Sequence, residues 1–373
     1  MASARRAKVL LLIPHLGGGG AEHIAATLMQ YLSAKKYELH LGLMTASVQA
    51  PEDPLPSNAI HTLGAGRVRF GAWRLLRLVW RLRPAVILSG MAHLNLLVLA
   101  LRPLFPARTR VFVRQNGALS ATLATWRNPG LARRIYAAVY KHADRVICQT
   151  RSMAEELQTE LGVDSAKLTV LPNPVDVRGI REAATGAKDV LTSPGPHLLA
   201  IARLAPEKGI DLLLEAFAGV LRSFPDADLE IAGVGSCESA LRAQCEKIGI
   251  EERVKFLGNV AEPASHFRGA SLFVLSSRHE GMPNALLEAA AAGLPIAAVP
   301  SSPGLGELLA TQPGVWLASE IAAKALENAL CAALSSIHSG QRFQHSWIEP
   351  FDLTNAIPAY EDVIDCALQE SAT

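Results

Sequence analysis

Glu280 and Glu288 stand with seven residues between them in "RHEGMPNALLEAAAAGLP" (278–295). Pro283 suits the first position of a helix, Gly293 suits the residue just past its end, and "NALLEAAAA" between them consists of good helix formers. The pattern predicts a helix starting close to Met282. Its first N–H groups have no intrahelical partners, which makes the turn an anion site suited to phosphate. A carboxylate beside a phosphate is repelled, so the two acids fit a different task, accepting hydrogen bonds from sugar or ribose hydroxyls. On spacing alone an acidic cap and a solvated helix glutamate account for the pair as well.

A second group of chemistry-bearing residues lies in "ARLAPEKGID" (202–211). Arg203 follows a strand-like run directly and Lys208 precedes Gly209 and a new helical pattern. A guanidinium and an ammonium at a strand's carboxyl end can neutralise a diphosphate; a surface pair between Arg203 and Glu207 is the alternative. Other stretches carry less. "DAD" (226–228) follows "FP" and reads as a turn before a strand, and "GGGG" (17–20) has neither dinucleotide nor phosphate-loop spacing. The five cysteines form no CxxC pair, so no zinc knuckle or disulfide framework is indicated, and a reducing compartment fits.

The elements that must hold these loops are strand-like apolar runs alternating with helical patterns. "KVLLLIP", "AVILSG", "RVFVRQ" and "RVICQT" form one series; after a link rich in Pro and small residues come "HLLAIARL", "DLEIAGVG", "VKFLGNV", "LFVLSS" and "IAAVP". Such alternation predicts an α/β chain with two parallel sheets, each covered on both faces. At 373 residues two domains are expected. We place an N-terminal domain over 1–176 and a C-terminal domain over 177–351, with a helix over 352–373 packing back on the first; "LPNPVDVRGI" (171–180) holds the boundary. Ligands of parallel sheets bind beyond the carboxyl ends of the strands, so a central cleft between two facing sheets is expected to gather these loops.

Half the residues are apolar and 19 % are charged, a globular balance. The apolar run over 85–101 contains Gly90, His93 and Asn95 between Pro84 and Pro103, and reads as a strand and a buried helix rather than a membrane span. "KVLLLIPH" reads as a buried first strand rather than a secretory leader. Net charge is +2, yet the stretch between Asp53 and Asp144 holds 14 Lys and Arg and no acid. Within it, "RVRFGAWRLLRLVWRLRP" (67–84) aligns Trp73, Leu76 and Trp80 on one helical stripe and Arg74, Arg77 and Arg81 on another. That is the pattern of a basic amphipathic helix on an anionic membrane, and equally of a helix docked on its own sheet with Arg outward.

"IARLAPEKGIDLLLEAF", "LEIAGVG", "VKFLGNV" and "SSRHEGMPNALLEAAAAGLPIAAV" resemble the nucleotide-sugar-binding half of GT-B glycosyltransferases, specifically the retaining family 4 (glycosyl transferases group 1), whose E-x7-E signature matches Glu280 and Glu288. "GGGGAEHIAATLMQYL", "ADRVICQT" and "VLPNPVD" extend the resemblance over nearly the whole chain. The resemblance implies a GT-B fold of two Rossmann-like domains and assigns Arg203 and Lys208 to the donor's diphosphate. The backbone around Gly281, Met282 and Asn284, with Pro283 holding the turn, joins them. Glu288 is implied for the ribose, Glu280 for the transferred sugar, and Gly258 and Asn259 for the base. Gly19 and Gly20 are implied at the first strand-to-helix turn, where the backbone approaches donor or acceptor. Many relatives carry His after the strand equivalent to "VFVRQNG"; this chain has Asn116, which can hydrogen-bond a sugar hydroxyl but is no general base, while His93 is another group that could approach.

The activity so implied is retaining, metal-independent transfer of a sugar from a nucleotide-sugar, UDP-linked by preference, with no cofactor. A lipid-linked or saccharide acceptor, notably a polyprenyl-diphosphate-linked sugar of cell-envelope polysaccharide assembly, and an anionic membrane surface are the expected partners. The implied location is cytoplasmic, peripheral on the inner face of the membrane. A sugar-nucleotide 2-epimerase or a non-catalytic nucleotide-sugar-binding module are the rival readings. The basic segment lacks a nucleic-acid recognition motif, and no nucleic acid is expected.

Overall fold

The computed structural model describes residues 6–15, 19–45, 59–64, 71–184, 195–260 and 263–370. Gly17 and Gly18, residues 67–70 of the basic segment and residues 185–194 of the link lie outside the described residues. Two compact units account for the chain, Met1–Pro174 with Leu353–Thr373, and Val175–Asp352.

Among the described residues the first unit is built on strands β1 (Ala7–Ile13), β2 (Tyr37–Leu43), β3 (Ile60–Thr62), β4 (Val86–Ser89), β5 (Arg110–Gln115), β6 (Arg145–Cys148) and β7 (Leu168–Val170). They form one parallel sheet in the order β3-β2-β1-β4-β5-β6-β7. The order reverses between β1 and β4, where the chain turns from building outward in one direction to building in the other. β1 is buried on both faces, which is why it reads as an unbroken apolar run. Leu10 and Leu12 face a core with helices Ala72–Leu82 and Ala92–Leu101. Val9, Leu11 and Ile13 face the opposite core with helices Gly20–Tyr31 and Leu353–Glu370. That last helix is pinned at its polar side: Lys36 Nζ reaches Glu361 at 2.8 Å and Asp365 at 3.1 Å, and Ser33 N–H donates to Glu361 at 2.8 Å.

The second unit carries β8 (His197–Ile201), β9 (Asp228–Ala232), β10 (Val254–Gly258), β11 (Leu272–Leu275), β12 (Ile296–Ala298) and β13 (Val315–Leu317). Its parallel order is β10-β9-β8-β11-β12-β13, reversing between β8 and β11. Helices Ile210–Val220, Glu238–Ile248 and Ala323–Ser336 cover one face, and helices Asn284–Ala291 and Pro303–Leu309 the other. At the amino-terminal edge His197 is held between Asp228 and Glu230, with Glu230 Oε2 at 3.2 Å. Burial alone lowers an imidazole pKa; the hydrogen bonds to Asp228 and Glu230 outweigh it and raise His197 to about 9. This charged cluster lies at the opposite strand ends from the loops of interest and serves packing.

Two expectations need correction. The helix after Glu280 begins at Asn284, with Pro283 as the extended N-cap residue (φ −74°, ψ 125°) rather than the first helical residue. Arg74 does not simply face outward: its Nη1 donates to the carbonyls of Leu63 at 2.5 Å and Gly64 at 2.6 Å. In helix Ala72–Leu82 the docking face is Leu75, Leu78, Val79 and Leu82, a stripe distinct from both patterns read in the sequence. Trp73 stays 73 % exposed and Trp80 51 % exposed.

Candidate active site

The reversal between β8 and β11 opens a crevice at their carboxyl ends, the place where a parallel sheet offers a ligand divergent loops. Lys208 enters from the loop after β8 and Glu280 from the loop after β11, and Lys208 Nζ donates to Glu280 Oε1 at 2.6 Å. Both side chains are largely buried. A charge pair spanning two loops 72 positions apart is what spacing alone could not reveal. The ammonium beside the carboxylate also offsets the repulsion that an isolated acid would exert on a phosphate.

The two loops are laced together below this pair. Ser276 Oγ donates to Lys208 O at 3.0 Å, Arg278 N–H donates to Glu207 O at 2.8 Å, and Arg278 Nη1 donates to Pro206 O at 2.8 Å. The same guanidinium makes a two-pronged bond to Asp211, 2.7 Å on each side. That bond, more than any other contact, holds the Asp211 carboxyl below the usual carboxylate range. Gly209 sits at φ +61°, and a Cβ there would lie 2.2 Å from Ser276 O, so only glycine lets the loops meet. On the far side, Leu204 N–H donates to Val234 O at 3.0 Å, and a Cβ on Gly233 (φ +140°) would lie 1.9 Å from Ala202 O. The loop bearing Arg203 and Lys208 is thus clamped from both flanks, the preorganisation a charge-stabilising site requires.

Arg203 itself is exposed and donates from Nη2 to Glu207 Oε1 at 2.6 Å, the surface pairing named as the alternative above. An exposed pair of this kind contributes about 0–1 kcal/mol and exchanges readily for a more highly charged partner. Behind the loop opens a cavity of about 580 Å3, lined by Ala205, Pro206, Ile210, Leu241 and Arg278 among others; it lies beside the Lys208–Glu280 pair rather than on it.

Pro283, the N-cap residue of helix Asn284–Ala291, makes no side-chain capping bond to the first turn. Gly281 and Met282 are buried, and the Met282 side chain packs in the core beneath the loop. Glu288 lies in the second turn, half-buried. Gly258 (φ +69°) ends β10 and accepts from Gly233 N–H at 2.7 Å, which places Gly258 and Asn259 beside the glycine turn after β9. Among the described residues no group of three or more His, Cys, Asp and Glu is placed to hold a metal ion.

In the first unit Asn116 follows β5, and both ends of its amide are engaged by protein. Nδ2 donates to Gly90 O, and Oδ1 accepts from Arg114 Nη1. Arg114 is only 3 % exposed, and its other bonds go to neutral groups, Tyr360 Oη at 3.1 Å and Asn173 Oδ1. Asn116 therefore ties the end of β4 to a buried arginine. Gly19 is the N-cap residue of helix Gly20–Tyr31, and a Cβ on it would lie 2.4 Å from Glu22 Oε2. The glycine gives room to a neighbouring carboxylate. Sequence reasoning missed Arg278, Asp211, Ser276 and Glu22. The polar run "SSRHE" directly after an apolar strand was the available signal for two of them, Ser276 and Arg278.

Two family models match the chain, "Glycosyltransferase Family 4" over residues 18–178 and "Glycosyl transferases group 1" over residues 187–348. A similar curated protein is the N-acetylgalactosamine-N,N'-diacetylbacillosaminyl-diphospho-undecaprenol 4-alpha-N-acetylgalactosaminyltransferase of Campylobacter jejuni, 25 % identical over 313 residues, covering 81 % of this chain and 83 % of that protein. The mannosylfructose-phosphate synthase of Agrobacterium fabrum is 29 % identical over 42 % of this chain and 38 % of its own length. Among solved structures, Anabaena Alr3699/HepE in complex with UDP and glucose superposes with a TM-score of 0.77 at 16 % identity, covering 97 % of this chain and 100 % of that one. WaaG, a glycosyltransferase involved in lipopolysaccharide biosynthesis, gives 0.68 at 16 % identity over 97 % of this chain and 98 % of its own.

Proposed function

The chain belongs to the group 1, family 4 glycosyltransferases and has their GT-B fold, and from that premise we propose that it transfers a sugar from a UDP-sugar to a polyprenyl-diphosphate-linked sugar, with retention and without metal. The observation that carries this reading is the Lys208–Glu280 pair in the crevice between β8 and β11. Lys208, Arg203 released from Glu207, and the first N–H groups of helix Asn284–Ala291 neutralise the donor's diphosphate. Glu280 accepts hydrogen bonds from the transferred sugar, Glu288 from the ribose, and Gly258 and Asn259 line the base. During transfer the bond from the anomeric carbon to phosphate oxygen breaks while a bond to the acceptor oxygen forms on the same face. The acceptor's proton goes to the departing diphosphate. The protein's contribution is charge stabilisation of that leaving group.

Nucleotide binding tests the donor half. With UDP at about 100 times its Kd and chelator present, stabilisation of about 2.7 kcal/mol is expected, a Tm rise of roughly 5–10 °C. No rise with any nucleoside diphosphate, or a rise abolished by EDTA, contradicts it.

The acceptor reading is supported by the lipid-linked acceptor in the name of the Campylobacter relative and by the outward faces of helix Ala72–Leu82. Trp73 and Trp80 are exposed beside Arg77 and Arg81, and Trp80 Nε1 holds the carbonyl of Leu104, itself 56 % exposed. No helix among the described residues is long and apolar enough to cross a membrane. Peripheral attachment to the cytoplasmic leaflet needs no span: each basic side chain near an anionic surface contributes about 1 kcal/mol, screened by salt. Flotation with anionic liposomes is expected at low salt, and Arg77→Glu with Arg81→Glu abolishes it while UDP stabilisation persists. Equal flotation with neutral and anionic vesicles removes the membrane assignment. Arg74 is left out of this test because it is bound to the backbone at Leu63 and Gly64.

A further inference from the structure

One residue of the loop after β11 brackets Lys208 on both sides in the chain. Arg278 N–H donates to Glu207 O at 2.8 Å and its Nη1 donates to Pro206 O at 2.8 Å, both within the short 3-10 turn Pro206–Lys208. The same guanidinium reaches past Lys208 to Asp211 in the first turn of helix Ile210–Val220, Nη1 to Oδ1 and Nη2 to Oδ2, each at 2.7 Å. Arg278 is itself held through its chain neighbours. Ser301 Oγ donates to Ser277 O at 2.5 Å, and Ser301 O accepts from Glu280 N–H at 3.4 Å. The loops of Lys208 and Glu280, whose side chains meet at 2.6 Å, are thus joined at Arg278.

The space behind the loop leaves its placement to these bonds. The cavity of about 580 Å3 is walled by Ala205, Pro206, Ile210, Leu241 and Arg278, so on that side the loop meets open space rather than close-packed side chains.

Resting on the glycosyltransferase reading above, we propose that Arg278, braced by Asp211, is a positioning residue for sugar transfer, holding the Lys208 ammonium where the departing diphosphate gathers charge. The residue type fits the task. A guanidinium presents its donors in a rigid planar fork and serves a carboxylate and a carbonyl together, whereas the ammonium of lysine is a point charge on a flexible stem. The hydrogen bond from Arg278 holds the Asp211 carboxyl below its ordinary range, so the pair stays ionised at neutral pH. Both side chains are partly exposed, and the pair contributes little to folding. Its effect lies in geometry, since a misplacement of about 1 Å at a reacting group costs on the order of 100-fold in rate.

The test is a cycle of variants in the full chain, assayed with a panel of UDP-hexoses and UDP-N-acetylhexosamines and a synthetic polyprenyl-diphosphate-linked N-acetylhexosamine. Arg278→Met is expected to lower kcat by roughly 10- to 100-fold, and Asp211→Asn, which keeps the bond to Pro206 O, by roughly 3- to 10-fold. Arg278→Lys regains part of the loss. In a Lys208→Met background the further cost of Arg278→Met is expected to stay below about 3-fold, because a residue that acts through Lys208 then has nothing left to position. A second readout needs no turnover. Acetylation of Lys208 by acetic anhydride, followed by peptide mass spectrometry, should run about 10-fold faster in Arg278→Met, while Cys245, buried in the core of the same unit, stays unreactive towards a thiol reagent. An undiminished further loss in the Lys208→Met background, a kcat within about 3-fold of wild type in Arg278→Met, or unchanged acetylation of Lys208 overturns the proposal. Should Arg278→Met expose Cys245, Asp211→Asn in the two backgrounds decides on the same terms. Absence of sugar transfer by wild type would instead overturn the functional reading, and the acetylation rates still test whether Arg278 holds Lys208.

Discussion

Lys208→Met is expected to lower sugar transfer by about 100- to 1000-fold, the effect of removing one preorganised charge from a leaving group in a water-poor site. The loop that carries Lys208 is fixed from below by Ser276 and Arg278 and from the side by the glycine turn after β9, so its ammonium is held in place before a donor arrives. Part of any loss could arise from leaving Glu280 unpaired, since its side chain is mostly buried. Lys208→Met combined with Glu280→Gln removes that unpaired charge. The double variant is expected to recover thermal stability but not transfer. Initial rates of UDP release with donor and acceptor, beside Tm values for both variants, separate the two. Transfer within about 5-fold of wild type in Lys208→Met would mean that Lys208 does not act on the leaving group.

Glu280→Gln is expected to reduce transfer by roughly 10- to 100-fold while UDP still raises Tm, because the amide keeps the size of the carboxylate but loses charge-assisted hydrogen bonds worth about 1.5–3 kcal/mol. Glu288→Ala should behave in the opposite sense, weakening UDP binding through the ribose. The two glutamates then divide the donor between them. Calorimetric titration of UDP into each variant, paired with transfer rates, measures that division. If Glu280→Gln weakened UDP as much as Glu288→Ala, the carboxylate would be serving the nucleotide, and the assignment of Glu280 to the transferred sugar would be wrong.

How far this site was legible depends on how local its signals were. β1 and β4 are buried on both faces and announce themselves as unbroken apolar runs. β2, "YELHLGL", does not, because Glu38 bonds His40 at 3.0 Å and ion-pairs with Lys8 at 3.7 Å, so polar residues interrupt the run. β3, β7 and β13 are three residues each at or near sheet edges, too short for a period of two to register. The "EKG" and "EGMPN" loops were found because strand, loop and helix patterns adjoin in the chain. The bond from Arg278 to Asp211 joins residues 67 apart, and nothing in either segment names the other. Pro283 illustrates a different limit: its φ suits both an N-cap and a first helical residue, and ψ decides. Helix Ala72–Leu82 shows the same for side chains. Its period was plain, but which of three stripes meets the sheet depends on the partner surface, and Leu75, Leu78, Val79 and Leu82 fill it. Asn116 was read as able to hydrogen-bond a sugar hydroxyl; that both ends of its amide bond within the unit, to Arg114 and Gly90, was not legible in the sequence.

The most direct measurement is mass spectrometry of the polyprenyl-diphosphate-linked acceptor after incubation with each UDP-sugar and the full chain, with EDTA present throughout. The account predicts that one UDP-sugar adds a single hexose or N-acetylhexosamine to the acceptor, with one UDP released per addition and the donor's anomeric configuration kept in the product. Conversion of the UDP-sugar to an isomeric nucleotide sugar with no gain of mass on the acceptor would contradict it.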